Sequence, residues 1–295
     1  MDIIQQLDLA TTKKQGEVTT GWLREFSSIH MEECRQDYLH NVLAQKKGDP
    51  STPHQSSVIS KAPSLATVQE KIDSHTEELS MISQFDFNIH RFMDKVGRKV
   101  GMSAITLKIM QNLGLEKALP LLDASKMTRF LGKIYQGYRR DVEYHNDIHG
   151  ADVLQMMFII IKQGDLLAIG DLNELDLLSI LIGCVCHDFA HDGLNNAYHV
   201  NSISERAIRY NDQSVQENFH VAEAFSIMNE KKFNFMSEFS RDEFKTFRKR
   251  CVGMILATDM ARHVTDLSSF KSLLEQRNIR EGANAMKIID HSSAA

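Results

Sequence analysis

Proline is scarce: there are four in 295 residues, and three of them fall between Pro50 and Pro63. The rest of the chain can therefore run in uninterrupted helices. An excess of charge of one sign is also missing, with 34 basic and 39 acidic residues interspersed for a net −5. That balance lacks the basic stripe or tail of a nucleic-acid binder, so no nucleic-acid partner is expected. No apolar run reaches the ~20 residues a helix needs to cross a bilayer. The N-terminus, MDIIQQLDLATTKK, carries an early acid and no apolar stretch, which argues against a secretory signal. Cysteine is sparse too: Cys34, Cys184, Cys186 and Cys251 form no disulfide framework, and reduced thiols in a cytoplasmic protein are the expectation. Cys184 and Cys186 stand as C-x-C, the wrong spacing for a redox pair, and read as small core residues flanking Val185. Strand signals are absent as well, with no alternating runs joined by Asn-Gly or Asp-Gly turns and no internal repeat.

What is present is helical periodicity. Residues 1–40 place Trp22, Leu23, Phe26 and Ile29 roughly on one face. From Gln45 to about Ser64 the chain turns polar and loop-like, KKGDPSTPHQSSVISKAPS, with little capacity to bury apolar surface. Residues 1–80 thus read as a helical extension plus polar linker, with a regulatory segment or a dimerisation arm (hence a homodimer) among the open readings. A new ordered region, 81–295, begins near Met81. The run LLAIGDLNELDLLSILIGCVC, residues 166–186, predicts a helix starting near Asp171 and then deeply buried. Val221 to Met228 and Phe244 to Leu256 repeat the i, i+3, i+4 pattern. The fold class is all-α.

Of thirteen histidines, four sit in two tight groups. In YHNDIHGADV, residues 144–153, a helix would put His145, His149 and Asp152 on one face at i, i+4 and i+7. Roughly forty residues downstream, His187-Asp188-Phe189-Ala190-His191 follows the buried apolar helix. A lone HxxxH is usually two surface or core histidines, and a lone His-Asp pair says almost nothing. Two such groups, one emerging from the end of a buried helix, point to a divalent metal site. Such a site needs neutral imidazoles and carboxylates converging at ~2.0–2.2 Å. An adjacent His-Asp pair lets the carboxylate bridge to a second ion, and two ions ~3.5–4 Å apart activate water and clamp a phosphoryl group.

At these residues the chain resembles the class I cyclic nucleotide phosphodiesterases. YHNDIHGADV resembles the family's Tyr-His-Asn-x-x-His-Ala-x-Asp-Val. The stretch HDFAHDGLNN resembles His-Asp-x-x-His-x-Gly-x-x-Asn, followed by YNDQSVQEN, residues 210–218; ATDMARH, Ala257 to His263, resembles Ala-Thr-Asp-Met-x-x-His. Weaker similarity begins near Phe85 and continues to the end. The resemblance implies a compact multi-helix HD-superfamily domain that hydrolyses cyclic AMP or cyclic GMP to 5′-nucleotides in cyclic nucleotide signalling, with two divalent ions, zinc and magnesium (or manganese). His149, His187 and Asp188 would be metal ligands, Asp188 bridging. His191 and Thr258 would hold water on the metals. His145 would be the general acid for the leaving 3′ oxygen, kept protonated and aimed by the hydrogen bond it donates to Glu217. Tyr144 and Asn146 would shape the pocket mouth and brace the local turn.

Three departures stand out. Gly150 replaces the family's usual alanine, at up to ~1 kcal/mol in a helix interior. Phe219 replaces the first of two consecutive histidines, leaving His220. The family's His-x-Ala-Asp, which supplies a further metal ligand, aligns with His291 so that Ala294 takes the ligand position; Asp290 lies one turn earlier on the same face. The family's domain continues past this point with the glutamine and apolar clamp that hold the base, so the chain reads as incomplete at its C-terminus and as exposing apolar surface. Two other readings stay open: a catalytically impaired member with a regulatory or binding role, and another HD-type metal-dependent phosphohydrolase. The upstream His145 and the ATDM segment argue against the last.

Overall fold

The computed structural model describes residues 62–164, 166–167 and 172–276. The amphipathic face at Trp22, the polar linker before Ala62, Cys34, and the Asp290, His291 and Ala294 register all lie outside them. Among the described residues every regular element is helical, so the fold is all-α as the periodicity predicts.

The chain starts with α1 (Leu65–Ser74), α2 (Thr76–Ser80), α3 (Ile89–Val96) and α4 (Arg98–Asn112). It continues through α5 (Leu115–Ala118), α6 (Ala124–Gly137) and α7 (Asp147–Gln163) to α8 (Glu174–Cys186). Two short helices, α9 (Asn196–Asn201) and α10 (Glu205–Tyr210), precede α11 (Val215–Met228) and α12 (Arg241–Leu256). A 3₁₀ turn, Met260–Arg262, leads into α13 (His263–Gln276).

Two helices organise the core. Helix α4 packs against α1, α3, α6 and α7; α8 packs against α7, α11 and α12. Every residue of α8 from Leu177 to Cys186 is buried, as an all-round apolar helix must be. Its start is set by a reciprocal cap: Asn173 Oδ1 accepts from the Asp176 N–H, and Asp176 Oδ2 accepts from the Asn173 N–H, both at 3.0 Å. That places the first turn at Glu174 rather than near Asp171. Cys184 and Cys186 are buried around Val185, and burial pushes the Cys184 thiol up to about 12, so the pair is neutral core filling. The ordered core also begins before Met81, since Val68 and Ile72 of α1 join the same apolar cluster. Helix α13 leans on the 3₁₀ turn and leaves Val264, Leu267 and Phe270 exposed. Among the described residues no helix is long and apolar enough to cross a membrane.

Candidate metal centre

The first histidine group is not one helical face. Asn146 caps α7: its Oδ1 accepts from the Ile148 N–H at 2.9 Å, and its Nδ2 donates to the carbonyls of Glu143 (2.7 Å) and Val142 (3.2 Å). The helix therefore starts at Asp147 and His145 lies in the preceding turn, so the i, i+4, i+7 reading fails there. Only His149 projects from α7 into the site; Asp152 is exposed. His145 still comes near, with its ring 5.8 Å from that of His149 and stacked on His191 at 4.1 Å. The Tyr144 ring lies 4.5 Å from that of His149. The start of α7 is clamped by Arg98, whose Nε and Nη2 donate to the buried Asp147 carboxylate at 3.1 and 2.5 Å.

The second group leaves its helix as well. Helix α8 ends at Cys186, and the chain then turns through Ala190 (φ 58°) and Gly193 (φ 85°). Phe189 anchors this turn by lying on Gly137, where any Cβ would run into its ring. His187 and Asp188 thus face His149 across the α7–α8 contact. His149 Nε2 and His187 Nε2 are 3.1 Å apart, and Asp188 Oδ2 lies 3.2 and 3.1 Å from them. Three donors bonded at ~2.1–2.2 Å on one face of an octahedron stand about 3.0–3.1 Å apart; tetrahedral donors would stand about 3.4–3.6 Å apart. The triangle fits a single divalent cation.

Backbone groups set the imidazole tautomers. His187 Nδ1 donates to the Cys184 carbonyl at 2.8 Å, and His220 Nδ1 to the Phe189 carbonyl at 2.6 Å. Each then presents a bare Nε2 lone pair. His191 is the reverse: the Gly193 N–H donates to its Nδ1 at 2.9 Å, so in the neutral ring Nε2 carries the proton. Burial, joined by the neighbouring His145 and His220, lowers His191 to about 3; burial likewise lowers His220 to about 4, and both are neutral at pH 7. Burial opposes the charge on Asp188, but His187, His149 and His145 outweigh it and hold the carboxyl well below the usual range. Burial also opposes a proton on His187, yet Asp188 and the Cys184 carbonyl raise its affinity for one: the pair binds a proton where a cation fits.

A second group shares the Asp188 carboxylate. Donor atoms of Asp188, His191 and His220 lie within 4.8 Å of one another, with His220 Nε2 3.9 Å from Asp188 Oδ1. The sequence reading noted His220 as the remaining member of the family's histidine pair but gave it no role in the site. Glu217 accepts from Asn196 Nδ2 at 2.9 Å, and burial raises its pKa. Thr258, at the exposed end of α12, donates its hydroxyl to the Ile255 carbonyl at 2.7 Å, which leaves the oxygen free to accept. The neighbouring Asp259 ties this segment to the start of α11 by accepting from Ser214 Oγ at 2.6 Å.

The profile of the 3′5′-cyclic nucleotide phosphodiesterase family matches residues 144–293, half of the chain. The chain belongs to that family. Relatives of this chain include the high affinity cGMP-specific 3′,5′-cyclic phosphodiesterase 9A of Drosophila melanogaster, 40% identical over 147 residues, which are 50% of this chain and 9% of that protein. The 3′,5′-cyclic-AMP phosphodiesterase 4C of Rattus norvegicus is 27% identical over 237 residues, 80% of this chain and 44% of that one. In structure, the phosphodiesterase domain of the Salpingoeca rosetta rhodopsin phosphodiesterase superposes with a TM-score of 0.59 at 31% identity, covering 75% of this chain and 61% of that domain. The chain thus spans less than half the length of these two curated relatives.

Proposed function

We propose that this centre hydrolyses 3′,5′-cyclic nucleotides to 5′-nucleotides with two divalent ions, zinc held by His149, His187 and Asp188, and magnesium or manganese taken up through the second Asp188 oxygen. The observation that carries the reading is Asp188: one of its oxygens completes the donor triangle with His149 and His187, and the other faces His220. His149, His187 and Asp188 would hold the first ion; two imidazoles and a carboxylate suit zinc. Bound cations supply Lewis acidity and lower the pKa of water.

The chain's own residues do the rest. Asp188 keeps its charge and so shares two oxygens between the groups. His191, an Nε2–H donor, orients water or a phosphate oxygen. His145 hands a proton to the departing 3′ oxygen, which would otherwise leave as a poor alkoxide. Glu217 would keep His145 protonated and aimed, Thr258 would hold water on a metal, Tyr144 lies along His149, and Asn146 holds the turn that carries His145. The relatives' names cover both cyclic AMP and cyclic GMP, so the substrate class is the cyclic phosphodiester with either base.

Metal analysis of the purified chain should find zinc, and assays with cyclic AMP and cyclic GMP should yield 5′-nucleotides. His145→Ala should keep the metal and lose turnover. Folded protein indifferent to added zinc and magnesium would sink the reading. Metal retained without turnover in the wild type would favour an impaired, binding-only member.

A further inference from the structure

The loop carrying His191 is held by a polar cluster that the hydrolytic reading does not use. Asp192, with its side chain 14% exposed, is the hub. Its Oδ1 accepts from the Leu194 N–H at 3.2 Å, closing a side-chain turn over Gly193, and from Gln216 Nε2 of α11 at 2.8 Å. Its Oδ2 receives Arg206 Nη1 of α10 at 3.0 Å and lies 3.3 Å from His199 Nε2 of α9. One carboxylate therefore ties the loop to three helices.

The surrounding residues are committed to this arrangement. Arg206 Nη1 also donates to Gln216 Oε1 at 2.6 Å, and its guanidinium lies 3.5 Å above the Phe219 ring. His199 is buried and shares its Nδ1 with Ser204 Oγ at 2.9 Å. Gln216 Nε2 reaches the Leu194 carbonyl at 2.7 Å as well. Phe219, which replaces a histidine of the family pattern, is thus the platform for Arg206. Burial opposes the charge on Asp192, yet His199 and Arg206 hold its carboxyl below the usual range.

The consequence lies one peptide away. The Gly193 N–H that fixes the His191 tautomer belongs to the Asp192–Gly193 peptide, and the turn closed by Asp192 orients that peptide. With Nδ1 turned to Gly193, Nε2 is the nitrogen His191 offers toward Asp188 and His220. We propose that Asp192 is a positioning residue: clamped by Arg206, Gln216 and His199, it aims the Gly193 N–H and so locks His191 as a proton donor facing the metal centre. This rests on the hydrolytic role of His191 given above.

The test uses the full chain labelled with ¹⁵N-histidine, because ring correlations report the tautomer with or without turnover. Wild-type His191 should appear only as the Nε2–H form. Asp192→Ala should give mixed tautomers and a kcat about 10–100-fold lower, with KM within about threefold and zinc content unchanged. Asp192→Asn keeps an acceptor for the Leu194 N–H and should restore the single tautomer and most of the rate. A folded Asp192→Ala protein whose His191 stays Nε2–H would overturn the proposal. If that variant does not fold, Arg206→Gln decides in the same way: mixed tautomers support the role, and an unchanged one refutes it. Wild-type protein that never hydrolyses cyclic nucleotides would count against the function, while the tautomer would still judge Asp192.

Discussion

Restoring the family's alanine at Gly150 should destabilise this protein. In an isolated helix Gly→Ala gains up to about 1 kcal/mol. Here a Cβ at position 150 would sit 2.9 Å from Tyr138 Oη, 3.2 Å from Tyr138 Cζ and 3.3 Å from Met102 Cε. The methionine end can swing away, but Tyr138 cannot retreat easily. It is buried, its ring stands edge-on to Phe189 at 6.1 Å, and its hydroxyl donates to the Val185 carbonyl at 3.1 Å. That carbonyl lies in the last turn of α8, where the Phe189 N–H has turned to Cys186, so the tyrosine is its cap. Overpacking costs about 1–3 kcal/mol, and weakening the hydroxyl bond costs about 1 more. Against the propensity gain, the net loss should be about 1–3 kcal/mol. Urea unfolding in EDTA measures it as a lower midpoint at unchanged slope. Tyr138→Phe alone should cost about 1 kcal/mol by orphaning the Val185 carbonyl, and less in the Gly150→Ala background, where it also relieves the clash; the coupling should exceed about 0.5 kcal/mol. A Gly150→Ala protein stabilised by the full propensity gain, with no coupling to Tyr138, would refute the close-approach argument.

Arg98→Ala strands the buried Asp147 carboxylate at the first turn of α7. The cost should be about 2–3 kcal/mol, below the usual figure for a broken buried pair because Arg98 is itself a third exposed; a loss under 0.5 kcal/mol in urea unfolding would contradict it. Asp188→Asn keeps the shape but removes the shared anionic donor, so metal analysis should find less than one ion per chain with helicity unchanged by circular dichroism; two retained equivalents would show that the carboxylate is not the bridge. Metal-free protein should lose stability as pH falls from about 6.5 toward 4. His191 and His220 stay neutral in the fold down to about 3 and about 4, while the unfolded chain takes up protons from about 6.5. The unfolded state then binds more protons, and each histidine removes up to about 2 kcal/mol at pH 5. His187, whose proton affinity Asp188 raises, pushes the other way, but it is one group against two. Denaturation midpoints at pH 7, 6 and 5 that do not fall would show that the two imidazoles are not held neutral.

Some of this was legible in the sequence and some could not be. The continuous apolar run ending at Cys186 announced a buried helix, because an element with no polar face has nowhere else to go. The histidine spacings were read correctly as convergence and wrongly as geometry. Counting i, i+4 across His145 and His149 ignores Asn146, a strong N-cap residue with an acid directly after it, and this was a local signal available in the text. His187 and His191 share the same spacing but are separated by a turn in which the helix has already ended. Asp192, His199, Arg206 and Gln216 carried no signal of their own: each reads as a solvated polar residue, and only the packing of α9, α10 and α11 around one loop brings them together.

What the sequence withholds most completely is which nitrogen each histidine presents. His187, His191 and His220 are the same residue type in one cluster, yet they split two to one in tautomer. The split is decided by the Cys184 carbonyl, the Phe189 carbonyl and the Gly193 N–H. A carbonyl can only accept and an N–H can only donate, so these three backbone groups fix two imidazoles as lone-pair donors and one as a proton donor. A variant that keeps every histidine but rotates one of those peptides would keep the family motif and lose the chemistry. The motif is therefore a statement about backbone placement as much as about side chains, and the end of α8 and the 188–194 loop are where that placement is made.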